Sequence, residues 1–164
     1  MSNEDFENIE TGLPVSINLL FNNVYLDIIT VLCVASILRN KKAEVKTREL
    51  LFYYTIISAQ ESDLEEHKVQ KIDSVNFYSS TYFRILRDIN EIFLYLYNLG
   101  LVNYNSNGKV NILDSTCIIT DIGIKLIENL ESKFIRELLS KVQKVKKDVK
   151  FSVLNEQMLL GGRQ

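Results

Sequence analysis

The residues with the types most often used in acid–base or metal chemistry lie in one acidic stretch. The single histidine, His67, follows Glu61, Asp63, Glu65 and Glu66. A histidine beside carboxylates could act as a general base or help to bind a cation. His67 has no visible nucleophile partner, however, and the carboxylates lack the spacing and the glycine of an EF-hand. The stretch is therefore predicted to be a solvated or partner-facing loop.

Motifs that carry known catalytic chemistry are missing from the sequence. There is no Walker lysine loop, no GxGxxG, no GxSxG, and no CxxC or HExxH pattern. Cys33 and Cys117 lie inside apolar runs without metal-ligand spacing, which predicts buried, reduced thiols in a cytosolic protein. We expect no enzymatic activity, no cofactor, no metal and no small-molecule substrate.

Basic side chains suggest two places where nucleic acid could contact the chain. Arg84 and Arg87 could reach phosphates or a guanine edge, although Asp88 and Glu91 stand beside them and pairing of Arg87 with Glu91 would give a solvated face. The other candidates are Lys109, Lys141, Lys144 and Lys147. The basic stretch that contains Lys141, Lys144 and Lys147 could also be a solvated helix face or a binding surface for an acidic partner.

Aromatic residues are too numerous for one side of a small core, with eight tyrosines and eight phenylalanines. Those left outside the core should form an apolar patch, and such patches mark interfaces on small soluble proteins. Leu94 and Tyr95 fall off the predicted inner stripe of their helix. The residues predicted to contact a partner are Leu94, Tyr95, Tyr82 and Tyr53.

Length and charge limit the overall organisation. The chain has 164 residues, a net charge of −2 and a hydrophobic fraction of 46%, which suits one domain and argues against a whole-surface nucleic-acid binder. We expect a flexible acidic arm over 1–16, one domain over 17–147 and a C-terminal tail over 148–164. No signal peptide or membrane-spanning run is predicted, and a cytoplasmic location is expected.

Three helices are predicted before the middle of the chain. The first is buried nearly all round and runs from Asn23 to about Asn40. The second starts at Thr47 and reaches about Ala59. The third is capped by Ser79 or Ser80 and ends at Asn98. Its predicted inner stripe holds Phe83, Leu86, Ile89 (or Asn90), Phe93, Leu96 and Tyr97.

Local signals then predict a hairpin and a final helix. Gly100 should stop the third helix in a left-handed conformation. Strands are expected over Leu101–Asn105 and Lys109–Ile112, joined by an Asn107-Gly108 turn; residues 117–119 either add a third strand or lead onward. Thr120-Asp121 should cap a helix to about Lys147, with a break near residues 131–132, and Gly123 should permit close packing. The predicted fold is mainly α with a small β-hairpin wing, a winged helix-turn-helix.

Two segments together resemble a known family. They are FNNVYLDIITVLCVASIL followed by RELLFYYTIIS, and LYNLGLVNYNSNGKVNI followed by IITDIGIKLIENL. Their combination is similar to the middle component of ABC-three-component systems, including Lamassu-type bacterial anti-phage defence. The resemblance covers about residues 17–145 and consists of hydrophobic patterns without catalytic motifs.

The resemblance implies a non-catalytic subunit of a multiprotein complex. Such a subunit would bind an SMC/Rad50-like ATPase and help to hold or restrain an effector protein until foreign DNA is sensed, so that DNA could meet the chain through the assembly. The alternative is a stand-alone dimeric winged-helix transcriptional regulator that binds DNA directly.

Overall fold

The computed structural model describes residues 24–39, 44–62, 75–106, 108 and 110–160. Several predictions fall outside these described residues: the N-terminal arm, the start of the first helix at Asn23, the His67 loop, Asn107 and Lys109. No described helix has the length and apolar character needed to cross a membrane.

The described residues form six α-helices and three short strands. The helices are α1 (Val24–Leu38), α2 (Thr47–Ser62), α3 (Val75–Asn98), α4 (Asp121–Asn129), α5 (Lys133–Asp148) and α6 (Val153–Leu159). The strands are β1 (Glu44–Lys46), β2 (Val102–Asn105) and β3 (Thr116–Ile119), and a 3₁₀ turn spans Ile112–Asp114. The fold is therefore mostly helical with a small sheet.

The sheet is antiparallel, with β3 between β1 and β2. Cys117 of β3 pairs with Val45 on one side and Tyr104 on the other. The predicted strand Lys109–Ile112 is wrong, because Asn111 accepts a hydrogen bond from the backbone N–H of Leu113 and turns the chain into the 3₁₀ segment. The partner of β2 is instead the segment considered as a third strand. Gly108 thus lies in a longer connection, and the sequence did not predict β1.

Helix α1 lies at the centre of the core, as predicted. Val31, Cys33, Val34 and Ala35 are completely buried. Helices α2, α3 and α5 all pack against α1. Because those neighbours enclose most of its circumference, most of the apolar surface of α1 is buried; Tyr25 in its first turn is the exception, at 79% exposed.

The long helix α3 begins at Val75, earlier than the predicted cap at Ser79 or Ser80. Its buried side chains are Tyr82, Ile85, Ile89, Ile92, Phe93 and Leu96. The prediction was right for Ile89, Phe93 and Leu96 and wrong for Phe83 and Tyr97, which are exposed. Tyr82 takes the inner position because its hydroxyl donates to Glu156 Oε1 at 3.2 Å and so has a polar partner in the interior.

The turn after α3 confirms the local predictions. Gly100 has φ of 69°, and the N–H groups of Gly100 and Leu101 donate to the carbonyls of Tyr97 and Leu96, which is a Schellman ending. Thr120 accepts a hydrogen bond from the N–H of Gly123 at 3.1 Å and caps α4. Its hydroxyl also donates to the Gly100 carbonyl at 2.7 Å. One threonine therefore joins the end of α3 to the start of α4.

The C-terminal segment contradicts the predicted tail. Helix α4 ends at Asn129 and α5 begins at Lys133, so the break near residues 131–132 is confirmed. Beyond Asp148, however, the chain turns back and α6 packs against α3. The rings of Phe151 and Phe52 lie 5.5 Å apart, and Leu159 is buried. The packing of Phe151 and the burial of Leu159 make the segment part of the domain.

Candidate functional site

The most distinctive surface is the outer stripe of α3, formed by Phe83, Arg87, Asn90, Leu94 and Tyr97. These positions follow one another by four or three residues and so lie on one side of the helix. Phe83, Leu94 and Tyr97 are 57%, 59% and 57% exposed. Tyr95, beside the stripe, and Leu99, just beyond the helix, are exposed as well. Leu94 and Tyr95 thus have the exposure predicted for them.

Tyr53 and Tyr82, also predicted to contact a partner, are buried. The Tyr53 hydroxyl donates to the Val149 carbonyl at 2.9 Å and accepts from the Phe151 N–H at 3.2 Å. Both tyrosines therefore hold the C-terminal segment onto the body of the domain. This corrects the prediction that they lie on an exposed interface, and the reason is that distant segments supply partners for their hydroxyls.

The two arginines predicted to contact DNA each form an ion pair with a carboxylate. Arg84 Nη1 lies 3.8 Å from Asp27 Oδ2, and Arg87 Nε lies 2.7 Å from Asp88 Oδ1. Arg87 therefore pairs with its neighbour in sequence and not with Glu91. A phosphate approaching either guanidinium would have to compete with a carboxylate that is already in place.

A cavity of about 200 Å³ lies between α1 and α3 beside these arginines, lined by Val24, Asp27, Arg87, Asp88, Glu91 and Ile92. Asp27, one of the lining residues, accepts a hydrogen bond from the Tyr54 hydroxyl. Burial raises the pKa of Asp27 above its ordinary value, while Tyr54 and Arg84 act in the opposite direction. The group joins α1, α2 and α3 and has no nucleophile–base pair, so we interpret it as a structural tie.

Lysines of α5 divide into structural and exposed ones. Lys141 Nζ donates to the Ile57 carbonyl at 3.0 Å, and Lys146 Nζ donates to the Ile37 carbonyl at 2.6 Å. These bonds join α5 to α2 and to the last turn of α1. Lys144 and Lys147 are exposed. Lys141 thus has a structural contact that the sequence did not indicate, because its acceptor lies 84 residues away.

The cysteines and acidic residues of the described ranges offer no metal centre. No group of three or more His, Cys, Asp or Glu side chains there is placed to bind a metal. Cys33 and Cys117 are buried free thiols. Burial raises the pKa of Cys33 to about 11 and that of Cys117 to about 12, which suppresses the reactive thiolate.

No protein-family model matches the chain, no curated protein matches its sequence, and no solved structure matches its fold.

Proposed function

We propose that this chain is a winged-helix accessory subunit that binds a protein partner through the outer stripe of α3 and performs no catalysis. The observation that carries the proposal is the exposure of Phe83, Leu94 and Tyr97 on one side of a helix whose other side is fully packed. Large aromatic and aliphatic side chains grouped in this way are typical of the anchors of protein interfaces.

The arrangement of elements supports the winged-helix assignment. A helix, a short strand and two helices precede a β-hairpin, and the first strand pairs with the last one. In that fold α3 takes the place of the recognition helix and the connection between β2 and β3 takes the place of the wing. The solvent-facing side of α3 is then the surface that members of the fold use to meet their partners.

The family resemblance supplies the class of partner. It supports a cytoplasmic complex in which this subunit binds an SMC/Rad50-like ATPase and helps to restrain an effector in anti-phage defence. The apolar outer stripe suits such a role, because a stable subunit contact needs apolar anchors rather than a uniformly basic face.

Co-purification from the native host with matched variants tests the proposal. We expect a large ATPase to accompany the tagged wild-type chain at near-stoichiometric yield. Leu94→Glu, and Tyr95→Glu beside it, should reduce that yield by tenfold or more, since loss of one interface anchor costs about 2 kcal/mol. Leu154→Glu on α6 is the control, because Leu154 has a similar exposure of 54% at another place.

A stand-alone DNA-binding regulator is the second candidate, and the position of Arg84 and Arg87 on α3 favours it. The chain would then purify as a dimer carrying DNA fragments. Changing both arginines to Ala would abolish DNA binding, at about 1–3 kcal/mol for each good base contact.

In the co-purification experiment, an ATPase yield that Leu94→Glu and Tyr95→Glu leave unchanged would overturn the proposed interface.

A further inference from the structure

The outward side of α5 carries a basic groove that the proposed function does not use. Its volume is about 520 Å³, and it is lined by Lys133, Arg136, Glu137, Ser140, Lys141 and Lys144. Four of these six side chains are basic. The one carboxylate is that of Glu137, whose Oε1 lies 3.6 Å from Lys133 Nζ. Arg136 and Lys144 form no ion pair with any described residue. The groove therefore keeps a positive charge in a protein whose net charge is −2.

The same chain contains a segment of opposite charge. Residues 1–10 carry Glu4, Asp5, Glu7 and Glu10 and no basic side chain. Phe6 and Ile9 alternate with these acids. Beside the groove, Phe134 on the first turn of α5 is 41% exposed. The segment thus offers negative charge to the basic side chains of the groove and apolar side chains to Phe134.

We propose that the acidic segment 1–10 binds in the basic groove of α5 and covers it. The charges of the two surfaces are complementary, and Phe134 gives Phe6 or Ile9 an apolar contact. A nucleic-acid backbone fits less well, because it would leave the exposed ring of Phe134 uncovered. Glu137 would repel phosphates and carboxylates alike and does not separate the two occupants.

The length of the chain allows this contact. The 14 steps from Glu10 to Val24 can span up to about 46–50 Å when extended. Helix α5 is about 24 Å long by its residue count. Helix α1, which starts at Val24, packs along α5, and its last turn is bonded to Lys146. The acidic segment can therefore reach any point on the groove without unfolding α1.

Tethering makes even a weak contact effective. A short connection within one chain gives an effective concentration near the millimolar range, so the segment competes with any free anion for the groove. The contact is electrostatic at the surface, and salt should weaken it.

Zero-length carbodiimide coupling of the full-length protein tests the placement directly. An equal mixture of ¹⁴N- and ¹⁵N-labelled protein at low salt is coupled, digested and analysed by mass spectrometry. We expect links within one copy from Glu4, Asp5, Glu7 or Glu10 to the lysines of the groove, and their loss at high salt. The neighbouring pair Lys133–Glu137 is the internal control for reactivity. Links only between copies, or none from the segment while the control pair links, would overturn the proposal.

A binding measurement tests whether the segment covers the groove. The probe is a fluorescent heparin hexasaccharide, and the variant combines Glu4→Gln, Asp5→Asn, Glu7→Gln and Glu10→Gln. The control combines Glu44→Gln, Asp114→Asn, Glu128→Gln and Glu131→Gln, all of which are exposed, and changes the net charge equally. We expect the first variant to bind the probe about 3- to 10-fold more tightly than the control. Equal affinities would show that the segment does not cover the groove. Neither test depends on the α3 interface, so this proposal and the proposed function can fail separately.

Discussion

At the scale of single residues, Gly123 has the strictest geometric requirement. A Cβ atom there would lie 2.4 Å from the carbonyl oxygen of Leu101 and 3.0 Å from Cγ1 of Ile119. The Leu101 carbonyl is fixed, because it accepts a hydrogen bond from the Thr120 N–H at 3.0 Å. The first turn of α4 can therefore approach the end of α3 only without a side chain at this position.

We accordingly expect Gly123→Ala to lower the free energy of unfolding by about 1–3 kcal/mol, the usual cost of forcing an atom into packed surroundings. The intrinsic helix preference of Ala, about 1 kcal/mol over Gly, acts in the opposite direction. Urea denaturation measures the change. Lys125→Ala, at an exposed position of the same helix, should stay within about 0.5 kcal/mol of wild type. A stabilised Gly123→Ala variant would contradict the close approach.

Asp27 makes stability depend on pH. Burial raises its pKa in the folded protein, so the folded state holds this proton more tightly than the unfolded chain does. The tighter binding of this proton stabilises the folded state fully at a pH below the ordinary Asp pKa. The stabilisation is lost as the pH rises through the raised pKa of Asp27. We expect wild type to lose stability relative to Asp27→Asn across this window.

Urea denaturation of both proteins at a series of pH values from about 4 to 7 measures that difference. Asp114→Asn is the control for the loss of one exposed carboxylate. A wild-type protein that gains stability relative to Asp27→Asn as the pH rises would mean that the Arg84 pair outweighs burial.

At the scale of elements, α6 shows how a seven-residue helix is stabilised by what it covers. Isolated helices of this length are marginal in water, so packing must hold it. Leu159 is buried. Glu156 accepts a hydrogen bond from the Tyr82 hydroxyl and forms an ion pair with Arg48, with 3.5 Å between Glu156 Oε2 and Arg48 Nη1. The helix thus closes the surface between α2 and α3.

Leu159→Ala should therefore lower the free energy of unfolding by about 2–5 kcal/mol, as large-to-small changes in a core do. Leu154→Ala on the exposed side of the same helix should change it by less than about 0.5 kcal/mol. Thermal or urea denaturation compares the two variants. Equal and small effects would mean that α6 is not packed onto the domain.

At the scale of the whole molecule, the two thiols lie in one core but on different elements. Cys33 is in α1, Cys117 is in β3, and both are completely buried in the same apolar cluster. With pKa values of about 11 and about 12, the thiolate fractions at pH 8 are on the order of 10⁻³ and 10⁻⁴. Neither thiol should react unless the core opens.

We expect iodoacetamide to label both thiols at one rate, which increases with urea in step with global unfolding. Mass spectrometry of intact protein should then show mainly unlabelled and doubly labelled molecules. Faster labelling of Cys117 alone would mean that the sheet opens as a separate unit while the helices stay packed.

Several features of the fold could be predicted because they depend on residues close in sequence. Gly100 ends α3 through bonds to the preceding turn, and Thr120 caps α4 three residues before its donor. The central helix α1 is recognisable because apolar residues occupy nearly all of its circumference. The exposure of Leu94 and Tyr95 followed from their position off the inner stripe.

Other features were decided only when distant segments met. The three residues of β1 pair with residues of β3 that lie 70–74 positions away, and their own pattern is too short to mark a strand. Tyr82 replaces Phe83 on the inner side of α3 because Glu156 supplies a buried acceptor 74 residues later. Helical bonds and caps act over a few residues and leave local signals, whereas strand pairing and side-chain burial depend on neighbours that only the tertiary structure brings together.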